Sequence, residues 1–300
     1  MKKIRIKVPA TSANLGAGFD TLGVALSLYN EFIVEESDTI QIKTEPNIPE
    51  LEDPEKNLFV QVLKKACEYN GNEFHGAKIT QKINIPVARG LGSSATAIVA
   101  GIVASFFVNK KELTDEDFFN IAYQFEPHPD NLLPAWKGGL ITACVEGGKT
   151  FYSKIPFPEE LKAVVVIPEI ILSTEEARKV LPKEVSMKDA VFNIQRVSLF
   201  ISALVNKQFD LLKVAMNDRL HQPYRKSLIK GFDKVLQSAL DAGALGVSLS
   251  GAGSTIIALS DKNFDHIGQA MVNAFKEEGV NAEYKVLNIE ENGAKVEVID

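Results

Sequence analysis

Residues 86–101, "PVARGLGSSATAIVAG", place Gly90, Gly92, Ser93 and Ser94 between a short apolar run and an alanine-rich one. A glycine-rich turn that opens a helix suits an anion. The first N–H groups of a helix are unpaired, and its macrodipole is positive at that end. Gly90 and Gly92 let the backbone approach a phosphate with no Cβ in the way. Ser93 and Ser94 add hydroxyls for phosphate oxygens or a metal. The lysine of a P-loop, G-x-x-x-x-G-K-[ST], is missing, and Ala95 stands where a dinucleotide-binding loop has its third glycine. A strand-to-helix turn with a serine cap accounts for the same residues without any ligand, so the loop alone leaves both readings open. Two further segments accompany it. Residues 9–23, "PATSANLGAGFDTLG", set Asn14 and Asp20 among small residues, and residues 248–255, "SLSGAGST", form a second glycine-rich turn between apolar runs.

The elements that must position these residues follow from periodicity. Ile4, Ile6 and Val8 alternate with Arg5 and Lys7, which predicts a strand over 4–8, and residues 32–36 and 39–44 read as two more. Leu58, Val62, Ala66 and Tyr69 recur at helical spacing and stop at Asn70-Gly71. An alternating strand over 75–87 leads straight into the glycine loop, and the nearly all-apolar stretch 93–108 predicts a buried helix. Thr114 followed by Asp117 marks the start of the next helix. Strands are expected over 138–147, 162–168, 282–289 and 294–300, on either side of residues 248–255, and helices over 187–206, 208–217, 227–242 and 262–279. The uncommitted stretch 149–161, with Pro156 and Pro158, marks the division into two domains, residues 1–155 and 156–300. Without a regular βα alternation, the class is α+β.

The chain has 300 residues, 45% hydrophobic and 24% charged, within the range of soluble globular proteins. A formal net charge of −6 argues against nucleic acid or an anionic membrane as the main partner, while leaving room for a locally positive site. Cys67 and Cys144 lack metal-ligand spacing and read as two free thiols in a reducing cytoplasm. The N-terminus lacks the apolar core of a signal peptide, and no run approaches the roughly 18 apolar residues of a membrane helix.

In order along the chain, Pro-Ala-x-x-Ala-Asn-Leu-Gly-x-Gly-Phe-Asp, Pro-x-x-x-Gly-Leu-Gly-Ser-Ser-Ala and Ser-Gly-Ala-Gly resemble the three motifs of the GHMP kinases, which phosphorylate small alcohols. Residues 55–58, 127–139, 173–182 and 221–229 are similar to segments of the homoserine kinases in particular. The resemblance implies a two-domain fold, with an N-terminal half like ribosomal protein S5 domain 2 and a C-terminal ferredoxin-like α/β sandwich. It implies transfer of the ATP γ-phosphoryl group to the side-chain hydroxyl of L-homoserine, in threonine synthesis. A shikimate- or mevalonate-type kinase, or a non-catalytic nucleotide sensor, would share much of the pattern.

By the same resemblance Asn57, Pro86, Gly90, Leu91, Gly92, Ser93, Ser94 and Ala95 contact ATP. Ser94 and Glu126 hold Mg²⁺, and Thr174 orients the γ-phosphate. Asn14, Asp20, His128, Asn131, Arg178 and Arg225 contact substrate. The chemistry agrees: homoserine is a zwitterion with one hydroxyl, two arginines can clamp its carboxylate, and Asp20, Asn14 and Asn131 can accept from its ammonium or hold its hydroxyl. Asp20 is read as an ammonium ligand rather than a general base, and His128 as a positioning residue. In one respect the chain departs from the family pattern, which has an insert between the metal glutamate and the histidine. Here Glu126 and His128 are separated only by Pro127. A homodimer in the cytoplasm, with no nucleic acid or membrane partner, completes the expectation.

Overall fold

The computed structural model describes residues 3–299. Strands β1 (Lys3–Asn14) and β2 (Gly18–Glu36) form a long antiparallel hairpin. Then come β3 (Gln41–Glu45), helix α1 (Leu58–Tyr69), β4 (Ala77–Lys82), α2 (Ser93–Val108), α3 (Asp115–Ala122), α4 (Pro129–Lys137), β5 (Leu140–Glu146) and β6 (Lys149–Ile155). The remaining elements are β7 (Lys162–Pro168), α5 (Thr174–Lys179), α6 (Met187–Val205), α7 (Leu212–Ala215), α8 (Gln222–Arg225), α9 (Phe232–Asp241), β8 (Gly246–Leu249), β9 (Ile256–Ser260), α10 (Phe264–Glu277), β10 (Ala282–Leu287) and β11 (Lys295–Ile299).

Two sheets result. The first has the order β11-β1-β2-β4-β3, with β5 paired to the start of β2 and β6 to β5. Only β3 and β4 run parallel. The second has the order β10-β7-β9-β8 and is antiparallel throughout. With α9 before β8 and α10 between β9 and β10, that order is the ferredoxin-like one. The last strand, β11, pairs with β1, so the chain's end returns to the first sheet. Asp300, the final residue of that expected strand, lies outside the described residues.

Side-chain alternation places the cores. Ile4, Ile6 and Val8 of β1 pack with α1 and α2 in one core. Val165 and Ile167 of β7 face Leu22, Val24 and Leu26 of β2, together with Phe200 and Leu204 of α6. Val164 and Val166 face the opposite way, onto α9 and α10. The middle core thus joins the two halves through β2. Caps fix the helix starts: Asn57 accepts from Val60 N, and Thr114–Asp117 and Ser173–Glu176 form capping boxes.

The structure departs from periodicity in several places, among them the strand expected over 75–87, which ends at Lys82, and the helix expected over 208–217, of which only Leu212–Ala215 is α-helical. Residues 9–14 continue β1 through register shifts at Pro9/Ala10 and Ala13/Asn14, so the first motif lies in strand rather than after it. Residues 149–155 are a strand, paired to β5 across Gly147-Gly148. Residues 129–137 form α4 with Pro129 at the start, where no N–H is needed, and with Pro134 inside the helix. The helix expected over 227–242 begins only at Phe232, after Gly231 takes a left-handed conformation.

Candidate active site

The glycine loop before α2 is clamped by its carbonyl groups. Ala88 O accepts from Leu172 N at 3.0 Å, Arg89 O from Thr255 N at 3.0 Å, and Leu91 O from Thr11 N at 3.1 Å. Gly90 O accepts from the Ser250 hydroxyl at 2.7 Å. A Cβ on Gly90 would sit 2.3 Å from Ser250 O, so only glycine lets the loop lie this close to the turn between β8 and β9. Gly92, at φ +71°, turns the chain into α2. With the carbonyls engaged inward, the N–H groups of residues 90–94 form no hydrogen bond among the described residues.

Of these residues, Gly90, Gly92, Ser93 and Ser94 border a cleft of ≈ 80 Å³. Ala88 to Gly90 and Gly92 to Ala95 form one side of its lining and Gly251 to Gly253 another, and Glu126, Asn131, Leu172 and Thr174 complete it. Four chain regions, 88–95, 126–131, 172–174 and 251–253, therefore meet at one surface whose chemistry suits an anion. No helix is long and apolar enough to cross a membrane among the described residues.

Beside the cleft lies a chain of charged side chains. Arg178 donates to both carboxylate oxygens of Asp20, at 2.8 and 3.1 Å. His128 Nε2 is 4.0 Å from Asp20 Oδ2, and its Nδ1 is 2.5 Å from Glu126 Oε1. The hydrogen bond with Glu126 raises the His128 pKa above its ordinary value, against the effect of burial. Burial opposes the Arg178 charge, but the hydrogen bonds and charge of Asp20 outweigh it and hold its pKa up. Asp20 keeps a left-handed backbone, φ +54°, and its N–H donates to Asn14 Oδ1 at 3.0 Å. The short Glu126-Pro127-His128 segment thus folds back so that the two side chains touch, with Glu126 still on the cleft.

A buried layer supports this chain. Arg225 is 1% exposed and donates to Ala177 O and Gly251 O, both at 3.1 Å. Asn14 Nδ2 donates to the same Gly251 carbonyl at 2.9 Å. His221 stacks on Phe19 and pairs its Nε2 with Gly16 O at 2.8 Å. Burial lowers its pKa and favours the neutral ring. Asp218 accepts from the N–H groups of Leu220, His221 and Gln222. Burial, followed by the charge of Arg178, lowers the Arg225 pKa to about 10, so it remains a cation.

Three of the expected nucleotide-contact residues lie off the cleft. Asn57 is buried as the cap of α1, accepts from Gln81 Nε2 at 3.0 Å, and does not line the cleft. Leu91 belongs to the middle core, and Pro86 precedes the cleft without lining it. Asn131 lines the cleft and accepts from Thr11 Oγ1 at 2.7 Å. Sequence reasoning overlooked Arg89, which also lines the cleft, and Asp130, which is 5% exposed. Burial, then the charge of Asp20, raises the Asp130 pKa to about 7. The available signals were a cation inside the glycine loop and an acid beside Asn131.

The fold and the loop-built cleft define a small-molecule kinase of the GHMP type. The family's N-terminal domain model matches residues 57–139 and its C-terminal model residues 200–277. The chain is 64% identical over its full length, and that of the relative, to a homoserine kinase of Persephonella marina. It is 45% identical to one from Aquifex aeolicus, covering 98% of this chain and 99% of that one. The crystal structure of a homoserine kinase from Cytophaga hutchinsonii superposes with a TM-score of 0.88 at 32% identity, over 98% and 97% of the two chains. An L. major mevalonate kinase solved with R-mevalonate shares the fold at 18% identity, TM-score 0.73, over 98% and 97% of the chains. The chain belongs to the GHMP kinases and, within them, to the homoserine kinase family.

Proposed function

We propose that this protein transfers the γ-phosphoryl group of ATP to the side-chain hydroxyl of L-homoserine, a step of threonine biosynthesis. The observation that carries the reading is the convergence of the unengaged N–H groups of Gly90, Gly92, Ser93 and Ser94 with the Arg178–Asp20–His128–Glu126 chain. The N–H groups and the α2 dipole bind the phosphates. The amino-acid end of homoserine enters the ion pair, its carboxylate on Arg178 and its ammonium on Asp20, each replacing the other's partner. Arg225 adds positive potential at the carboxylate from behind. Asn14 and Asn131 orient the substrate, and His128 fixes Asp20 and Glu126 around it.

Mg²⁺ belongs to the same proposal. Among the described residues no three His, Cys, Asp or Glu side chains form a metal set. Mg²⁺ commonly takes one or two carboxylates with phosphate and water oxygens, so a dedicated cage is not required. The donors fit. Glu126 Oε1 is held by His128, while Oε2 and the Ser94 hydroxyl make no hydrogen bond among the described residues. A bound ion there neutralises charge on the phosphates. Thr174 orients the γ-phosphate across the cleft. A new bond forms between the homoserine hydroxyl oxygen and phosphorus, and the bond from phosphorus to the β,γ-bridging oxygen breaks, releasing ADP. Because the transition state is loose, the hydroxyl proton leaves late and ends on the phosphate oxygens, with no strong base needed.

The proposal includes a division of labour between residues 1–155, which carry the glycine loop, and residues 156–300, which complete the substrate site. It also includes a cytoplasmic setting, which two free cysteines suit, and a homodimer, for which α6 offers exposed Met187 and Ile194. An ADP-release assay with L-homoserine, L-serine, shikimate and mevalonate tests the substrate. Turnover is expected with L-homoserine. Turnover of mevalonate or shikimate without homoserine would overturn the reading.

A further inference from the structure

The glycine loop lacks the lysine that a P-loop uses against the β- and γ-phosphates, yet a triphosphate needs more than N–H dipoles beside it. Arg89 is the only cationic residue that lines the cleft among the described residues. Its guanidinium forms no ion pair there, and its Nη1 is buried without a hydrogen-bond partner. A buried donor left unmade costs about 1–3 kcal/mol, and more when charged. The other arginines of the site are engaged: Arg178 is paired to Asp20 through both Nη atoms, with only its Nε left without a partner, and Arg225 donates to two carbonyls.

The backbone under Arg89 is fixed. Its own carbonyl is taken by Thr255 N, and its neighbours Ala88 and Gly90 both have positive φ, +54° and +78°. Ala88 O and Gly90 O are held from α5's approach and from the second glycine turn. A cation on such a base needs little reorganisation to meet an incoming anion, which is the condition for strong electrostatic stabilisation.

We propose that Arg89 is the phosphate-binding cation of this site, donating its unpaired guanidinium to the β,γ end of the nucleotide and taking the part of the absent lysine. The inference rests on the kinase reading above and adds a residue to it. It is tested with Arg89→Gln and Arg89→Lys by calorimetric titration of AMP, ADP and ATP, with Mg²⁺ present, and by steady-state kinetics with L-homoserine. In Arg89→Gln, the preference for ATP over AMP should shrink by roughly tenfold or more, and kcat/KM for ATP should fall by roughly 100-fold. AMP affinity and KM for homoserine should stay within about twofold. Arg89→Lys keeps the charge without the fork and should recover part of the loss.

Equal losses of AMP and ATP binding would mean that Arg89 only shapes the loop, and would overturn the proposal, as would unchanged ATP binding. If the glutamine variant does not fold, the lysine variant alone decides by the same AMP-to-ATP comparison. Failure of the unaltered protein to bind any of the three nucleotides would instead defeat the kinase reading itself.

Discussion

The glycine-lined cleft and the charged chain beside it are built in opposite ways. In the cleft, carbonyls 88–91 are tied to Leu172, Thr255, Ser250 and Thr11, and the functional groups are backbone N–H groups. In the chain, side chains carry the charge: Arg178 on Asp20 and His128 on Glu126, with the buried Arg225 behind them. A backbone-built surface is held by what is absent, a Cβ, and fails all at once when one is added. A side-chain surface is held by a balance of charges and changes by degrees. In the proposed function, one handles a ligand group that every nucleotide triphosphate shares, and the other the part that distinguishes one alcohol from another.

The sharpest way to break that contrast is Gly90→Ala. The added methyl meets Ser250 O, Gly253 O and Gly253 N within 2.9 Å, all backbone atoms, at φ +78°. The two glycine turns must move apart, and the N–H array loses its shape. Nucleotide affinity should fall by roughly 1000-fold, with a stability loss of about 2–3 kcal/mol. Calorimetry with ATP and urea denaturation check both. Near-normal ATP binding would show that the turns tolerate separation and that the array is less exact than its hydrogen bonds imply.

How much of this contrast the sequence revealed follows its construction. Gly90, Gly92, Ser93 and Ser94 were legible because a backbone-built site needs residue types that few other pressures select. The helix over 93–108 and the Thr114–Asp117 cap were legible for the same local reason. The return of β11 to β1 depends on a contact between strands at opposite ends of the chain that no periodicity encodes, whereas the pairing of β6 with β5 is a local hairpin across Gly147-Gly148. Asp20 and Arg178 are each expected as substrate residues from their segments, but their mutual ion pair was not legible, since 158 positions separate them. Asn57 reads as a nucleotide contact from its segment, and its position as the buried cap of α1 was not legible, since the side chain suits either use. Arg89 stood inside the quoted loop, but a lone arginine reads as surface charge until its burial is known.

A milder test addresses the charged chain. Arg178→Lys keeps the charge and loses the two-pronged contact with Asp20. The loss in kcat/KM for homoserine should be about 10–100-fold, carried mainly by KM, with ATP binding unchanged. Both groups are about 31% exposed, so stability should move by less than about 1 kcal/mol. A comparable loss in ATP affinity would show that the two regions are not separable.

The smallest effect is expected at Asp130, which sits beneath the charged chain and touches neither ligand reading directly. Burial is the main reason its carboxyl titrates at about 7, well above the ordinary 3.8. In the unfolded chain the group ionises near pH 4, while the folded protein still holds its proton. Stability is therefore greatest on this account below about pH 4, falls as pH rises from there through about 7, and levels off beyond it. Asp130→Asn removes the ionisation and should flatten that fall. Measured by thermal melts, the variant should match the parent near pH 4 and exceed it by roughly 1–2 kcal/mol at pH 8, once relaxation of the buried charge is allowed for. A variant less stable than the parent at pH 8 would show that ionised Asp130 is stabilised by His128 and Arg178, and that the charged chain extends one residue deeper than its hydrogen bonds indicate.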